Sequence, residues 1–235
     1  LLNANDPLIR QSFFASKHFT LLNMATYPTL FKVSLIFFVM FSNVGSTLAQ
    51  TTLVAFKSTG WKYREAFQDP VNIGNGSWKT GGYSDGSWSS DDAPLGYEDI
   101  TSSPQKPLIN TWLRPQGSHT TSPLPRANYF RKSFTIVNPA QYSGYRIKTW
   151  CDDGLVVYVN GAEVYRLNMP ATAVDSILSA SSAAPNDSIY GEITIPGQLL
   201  TGTNLIAVEV HQALNSIDRY FDLAIEGVTT PITCP

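Results

Sequence analysis

Two runs rich in β-branched and aromatic residues, Leu155–Val159 and Glu163–Leu167, flank Asn160-Gly161, and that arrangement leaves the chain little choice but to double back. A two-residue hairpin turn of type I′ needs positive φ at both central positions, which Asn followed by Gly adopts at least cost. Asp152-Asp153-Gly154 is a second turn signal just before it. Upstream, Tyr145, Ile147, Thr149 and Cys151 alternate with Arg146, Lys148 and Trp150, as in a half-buried strand. Tyr129–Ile136, Ile189–Ile195, Leu205–Gln212 and Tyr220–Ile225 read as further strands, with shorter ones at Leu53–Phe56 and Trp61–Glu65. One helical turn is expected near Val174–Leu178, inside a connection rich in Ala and Ser. Roughly eight to ten short strands with long loops and no βα repeat predict an all-β fold, an antiparallel two-sheet jelly-roll β-sandwich.

Aromatic residues make up 12% of the chain and charged residues only 14%, a balance that suits an extracellular β-domain. Residues 1–23 read as upstream sequence that is not part of the protein, because the first Met is Met24. Lys32, the apolar run Val33–Phe41 and Gly45-Ser46-Thr47-Leu48-Ala49 then follow in the order of a secretory signal peptide over 24–49. The apolar run has nine positions, against the roughly 20 that span a bilayer, so no membrane span is expected. Cleavage after Ala49 leaves one domain, 50–235, secreted to the extracellular space. It also removes Arg10, Lys17 and Lys32 against Asp6, moving the net charge from −2 to −4. No basic patch remains to attract nucleic acid.

Cys151 and Cys234 are the two cysteines. In an oxidising compartment they form either one intramolecular disulfide, the reading preferred here, or a buried free Cys151 with Cys234 pairing between chains. Asn75-Gly76-Ser77 and Asn186-Asp187-Ser188 are N-glycosylation sequons, which makes Asn75 and Asn186 expected surface sites in a eukaryotic source.

Several segments in order resemble a known module. They are Trp61-Lys62-Tyr63, Trp88, Ala93-Pro94-Leu95-Gly96-Tyr97, Tyr129-Phe130-Arg131-Lys132-Ser133-Phe134, the Asp152–Gly161 stretch and Arg166-Leu167-Asn168-Met169-Pro170. Asn204–Gln212, Asp218 and Phe221-Asp222 complete the series. Together they are similar to the galactose-binding-domain-like jelly rolls appended to secreted bacterial hydrolases, phosphatases and surface proteins. The likeness covers most of 61–226. It implies the fold, and with it a habit of binding glycans and, in some members, a structural calcium ion. It carries over no ligand-contacting residue set.

Catalysis by a nucleophile needs a base beside it, and the mature chain offers only His119, in a polar loop, and His211. His211 shares a strand face with Glu209, since side chains alternate; two ligands fall short of a zinc site, so Glu209 and His211 read as a structural polar pair. Asp152 and Asp153 are expected to point apart, which suits them poorly to glycoside hydrolysis, and to cap their own turn. Calcium is weakly signalled by Asp85, Asp91, Asp92, Glu98 and Asp99. No other cofactor is indicated, and the chain is expected not to be an enzyme. Two functions remain. One is a non-catalytic binding module that takes a glycan through rim loops, with Trp88, Tyr97, Trp112, Arg114, His119, Asn215, Asp218 and Arg219 as candidate contacts. The other is a structural protein of an extracellular matrix or mineral-associated scaffold, assembling with itself or with other proteins through exposed aromatics in 70–125.

Overall fold

A computed structural model describes residues 50–66, 78–97, 108–113, 125–172, 174–185, 188–197 and 199–229. The chain divides into two units, residues 1–44 and 45–235, and every described residue belongs to the second. The expectations for 1–49 therefore lie outside the described residues.

Twelve strands are described, in two sheets: β1 (Gln50–Val54), β2 (Trp61–Ala66), β3 (Ser89–Asp91), β4 (Leu95–Tyr97), β5 (Thr111–Trp112), β6 (Ala127–Ile136), β7 (Gly144–Asp152), β8 (Gly154–Val159), β9 (Ala162–Leu167), β10 (Ile189–Pro196), β11 (Gly202–His211) and β12 (Arg219–Val228). One sheet runs β10-β7-β12-β4-β5, with β1 also paired to β12; the other runs β3-β2-β6-β11-β8-β9. All pairs are antiparallel except β4 with β5. From β6 onward the chain alternates between the sheets, apart from the β8–β9 hairpin, so the two halves of the sandwich are built together. This is the jelly-roll sandwich that the strand pattern predicts.

The alternation noted in the sequence sets the inner faces. Tyr145, Ile147 and Cys151 of β7 and Phe221, Leu223 and Ile225 of β12 meet Phe130, Leu155, Val157, Ile206, Val208 and Val210 of the other sheet in one core. Trp61 stands edge-on to Phe221 at 5.0 Å, and Phe221 stacks on Phe130 at 4.2 Å. The β8–β9 turn has φ +50° at Asn160 and +91° at Gly161, the two positive values that a type I′ turn requires.

The second sheet is covered on its outside as well. Trp78, Tyr83, Trp88, Val174, Leu178 and Ala180 pack over Tyr129, Val156, Tyr158 and Ala207, which explains why β8 and β11 are buried almost throughout instead of on alternate residues. Gly154 lies beneath this cover, where a β-carbon would come within 2.7 Å of the Asn168 carbonyl and 2.9 Å of the Met169 sulfur. Its smallness is demanded by close approach, not by a turn.

Three sequence expectations are corrected. Val174–Leu178 is not helical: the Asp175 carboxylate accepts from the Ile177 and Leu178 amides at 3.0 and 2.9 Å, so an Asx-type turn replaces the helix. The Cys151–Cys234 bridge is not seen: Cys151 is a free, fully buried thiol among the core side chains, and burial pushes its pKa well up. Cys234 lies outside the described residues. Asp152 and Asp153 do not point apart, because the junction of β7 and β8 interrupts strand alternation; their carboxyls are in hydrogen-bond contact.

Candidate functional site

One end of the sandwich gathers chemistry from segments remote in sequence. β4 ends there at Tyr97, β7 at Asp152, β11 runs out into Gln212, and β12 begins at Arg219 after Asp218. Register puts Arg219 opposite Tyr97 and Tyr220 opposite Asp152. β5 runs parallel to β4, pairing Trp112 with Gly96.

Asp153 organises this end. Its carboxylate accepts from the Ala184 amide at 2.6 Å and the Ala213 amide at 2.8 Å, and its backbone carbonyl accepts from the Asn168 side chain at 3.0 Å. It thus ties the β9–β10 and β11–β12 connections to the β7–β8 junction, rather than capping its own turn.

Asp152 lies beside it, fully buried. Burial pushes its carboxyl up to about 10, reinforced by the charge of Asp218 and by Asp153 and opposed by Arg219. At neutral pH Asp152 therefore holds its proton and can both donate and accept. The Arg219 guanidinium, 1% exposed, sits 5.6 Å over the Tyr97 ring and donates through Nη2 to the Pro125 carbonyl at 3.0 Å. Its Nε and Nη1, the Asp152 Oδ2 and the Gln212 Oε1 have no hydrogen-bond partner. Leaving one such group unmet costs about 1–3 kcal/mol, so several at one end of a domain call for an explanation.

The sequence candidates divide. Tyr97, Trp112, Asp218 and Arg219 come to this end, with Ser216 donating to Asp218 at 3.0 Å, and Asn215 stands exposed in the same β11–β12 loop at φ +69°. Trp88 does not: it is 4% exposed, stacked on Trp78 and edge-on to Tyr83, as part of the outer cover. Arg114, His119, Asn75 and Asn186 lie outside the described residues. Asp152 and Gln212 were missed as contacts, because the turn and strand motifs that contain them read as scaffold.

Glu209 and His211 sit together on the covered face of β11. Glu209 accepts from the Tyr158 hydroxyl at 2.5 Å and lies 3.3 Å from His211 Nε2, while His211 Nδ1 meets the Leu178 carbonyl at 2.8 Å. Burial, and then the Glu209 charge, raise the pKa of Tyr158. Of the calcium candidates, Asp85 is paired with Arg131 at 2.6 Å, Asp91 accepts from the Asp92 amide and Asp92 from the Gly60 amide. Among the described residues no three His, Cys, Asp or Glu side chains are placed to hold a metal ion, and Glu98 and Asp99 are not described. No described helix is long and apolar enough to cross a membrane.

Asp222 titrates in an accessible window. Burial raises its pKa to about 6, against amide hydrogen bonds from Lys57 and Leu223 that lower it. A raised folded-state value means that the folded chain binds the proton more tightly, so this contribution is complete below about pH 4 and lost as pH rises through 6. At 1.36 kcal/mol per unit the loss is about 3 kcal/mol. Urea midpoints of wild type and Asp222→Asn at pH 4 and pH 7 check it: the variant is expected to show the smaller fall.

No protein-family model and no curated protein matches the chain. Solved structures do resemble it. A β-glucuronidase of Bacteroides uniformis is 13% identical, covering 77% of this chain and 18% of its own, with a TM-score of 0.47. A β-glucuronidase from an uncultured Clostridium sp. is 11% identical, covering 79% and 30%, at 0.44. A β-glycosidase of Bacteroides vulgatus is 17% identical, covering 75% and 20%, at 0.38. The chain thus spans about a fifth to a third of the length of the structures it matches. The resemblance to galactose-binding-domain-like modules stands as one of fold. The expectation that the chain is not an enzyme is corrected, because these neighbours are all glycosidases.

Proposed function

We propose that this sandwich is a carbohydrate-related domain that recognises a saccharide at the end framed by Tyr97, Asp152, Gln212, Asp218 and Arg219. One observation carries the reading: a guanidinium, a protonated carboxyl and an amide, all buried at one end of the sandwich, each keep polar atoms without a partner. Saccharide hydroxyls donate and accept at once, and so complement this mixed set where a purely anionic or apolar ligand would not. Tyr97 is buried beneath the guanidinium, whereas Trp112, half-buried on the neighbouring strand, supplies aromatic surface for the apolar face of a sugar ring. The glycosidases that share the fold accord with a carbohydrate setting, and an activity like theirs would belong to a longer assembly than the described domain.

Calorimetry against monosaccharides and short oligosaccharides tests the reading. Arg219→Lys keeps the charge and loses the planar fork, and is expected to weaken binding at least tenfold, about 1.4 kcal/mol. Retention of full affinity by that variant, or no saccharide binding by the wild type, would remove the proposal.

In the matrix-scaffold reading, exposed aromatics in 70–125 would form the interfaces with other proteins. Trp78, Tyr83 and Trp88 are buried instead, so those rings offer no surface to a partner.

A further inference from the structure

The two sheets differ on their outer sides. Loops seal the second, whereas the first leaves an aromatic pair in water: Trp150 of β7 is 40% exposed and Tyr190 of β10 is 43% exposed. Register makes them direct cross-strand neighbours, and their rings lie 5.2 Å apart at 58°. Rows of charge continue the same face. Lys148 pairs with Glu226 at 2.7 Å, Arg146 with Glu192 at 3.4 Å, and the Tyr190 hydroxyl donates to Glu192 at 2.7 Å.

We propose that this face is a second binding surface, on the outer side of the first sheet beside the sandwich end, that takes a neutral polysaccharide chain across Trp150 and Tyr190. Exposed rings of this kind stack on the apolar faces of sugar rings, and their mutual tilt suits successive residues of a twisted chain better than one flat apolar plane. The charge pattern selects the class. Arg146 and Lys148 are each paired with a carboxylate, and Asp222, opposite Trp150 in register, adds a further acidic group, so the face carries no positive field to gather a polyanion. The same fixed groups present donors and acceptors to hydroxyls on both sides of the rings. The sheet backbone holds both aromatics on regular strands, so the platform is set before binding and little ordering accompanies it.

Native gel electrophoresis of the whole protein through a mixed-linkage β-glucan, a galactomannan, a xylan and polygalacturonate tests this. At least one neutral polymer is expected to retard the wild type. Trp150→Ala and Tyr190→Ala are each expected to weaken that retardation at least tenfold with an unchanged unfolding midpoint, while Tyr190→Phe retains most of it. Absence of retardation, retardation by polygalacturonate alone, or equal retardation of Trp150→Ala would overturn the proposal. So would concentration-dependent dimerisation in sedimentation that Trp150→Ala abolishes, since the face would then be a contact between copies. Retardation that Arg219→Lys removes and Trp150→Ala spares would assign the binding to the sandwich end alone.

Discussion

Asp153→Ala is expected to cost about 3–6 kcal/mol of folding stability, from two charge-assisted hydrogen bonds at about 1.5–3 kcal/mol each. The Ala184 and Ala213 amides, 31 and 60 residues away in sequence, both end on this one carboxylate. Ala213 is itself buried, so water has little access to its amide if the carboxylate is removed. Asp153→Asn keeps one acceptor and is expected to fall between the two. Urea unfolding gives both values, and a loss under about 1 kcal/mol for the alanine variant would contradict the role assigned to Asp153. A shallower unfolding slope would show in addition that the loops at 184 and 213 had come loose before the core.

Trp78→Ala is expected to be as damaging, about 3–5 kcal/mol, the range for emptying a buried indole. Trp78 is fully buried and touches Trp88 at 6.4 Å, Tyr129 at 4.9 Å and Tyr158 at 5.8 Å, so its removal opens the cover of the second sheet at its middle. The effect has a spectroscopic signature besides the midpoint. Tyr158 titrates high chiefly because it is buried, so the variant should ionise one more tyrosine at moderately alkaline pH in an ultraviolet titration. A variant with wild-type stability and an unchanged tyrosine titration would show that the cover does not depend on Trp78.

How far the sequence announces these features depends on the range of the interactions. The β8–β9 hairpin is legible because Asn160 and Gly161 carry their own backbone preference, and β7 is legible because its two faces meet different surroundings. β4 and β5 have three and two residues; nothing local distinguishes such fragments from loop, and only their pairing beside β12 makes them strands. The outer cover is hidden for another reason. Trp78, Tyr83 and Trp88 arise from turns without periodicity, so their burial is decided by the sheet they land on. At the sandwich end, Arg219, Asp218, Tyr97 and Trp112 could be picked out as residue types, whereas Asp152 and Gln212 were absorbed into strand-building motifs. The partnership between Asp152 and Arg219 is a tertiary fact that spacing in the sequence does not encode. Trp150 was legible as the outward member of an alternating strand, but its pairing with Tyr190 depends on the β7–β10 register.

The position of β12 has a consequence for synthesis. It fills the middle of its sheet, paired with β7 on one side and with both β1 and β4 on the other, yet it is the last strand described in the chain. On a ribosome β1 must wait for residues 219–228 before it has a neighbour to bond to, and β4 has only the two-residue β5 until then. The six strands of the other sheet, by contrast, are all present once residue 211 has emerged. The nascent domain therefore passes through a stage with one sheet complete and its apolar inner face covered only in part, by the β7–β10 pair, when it most needs protection from its own kind. A chain that stops short of residue 219 remains at that stage.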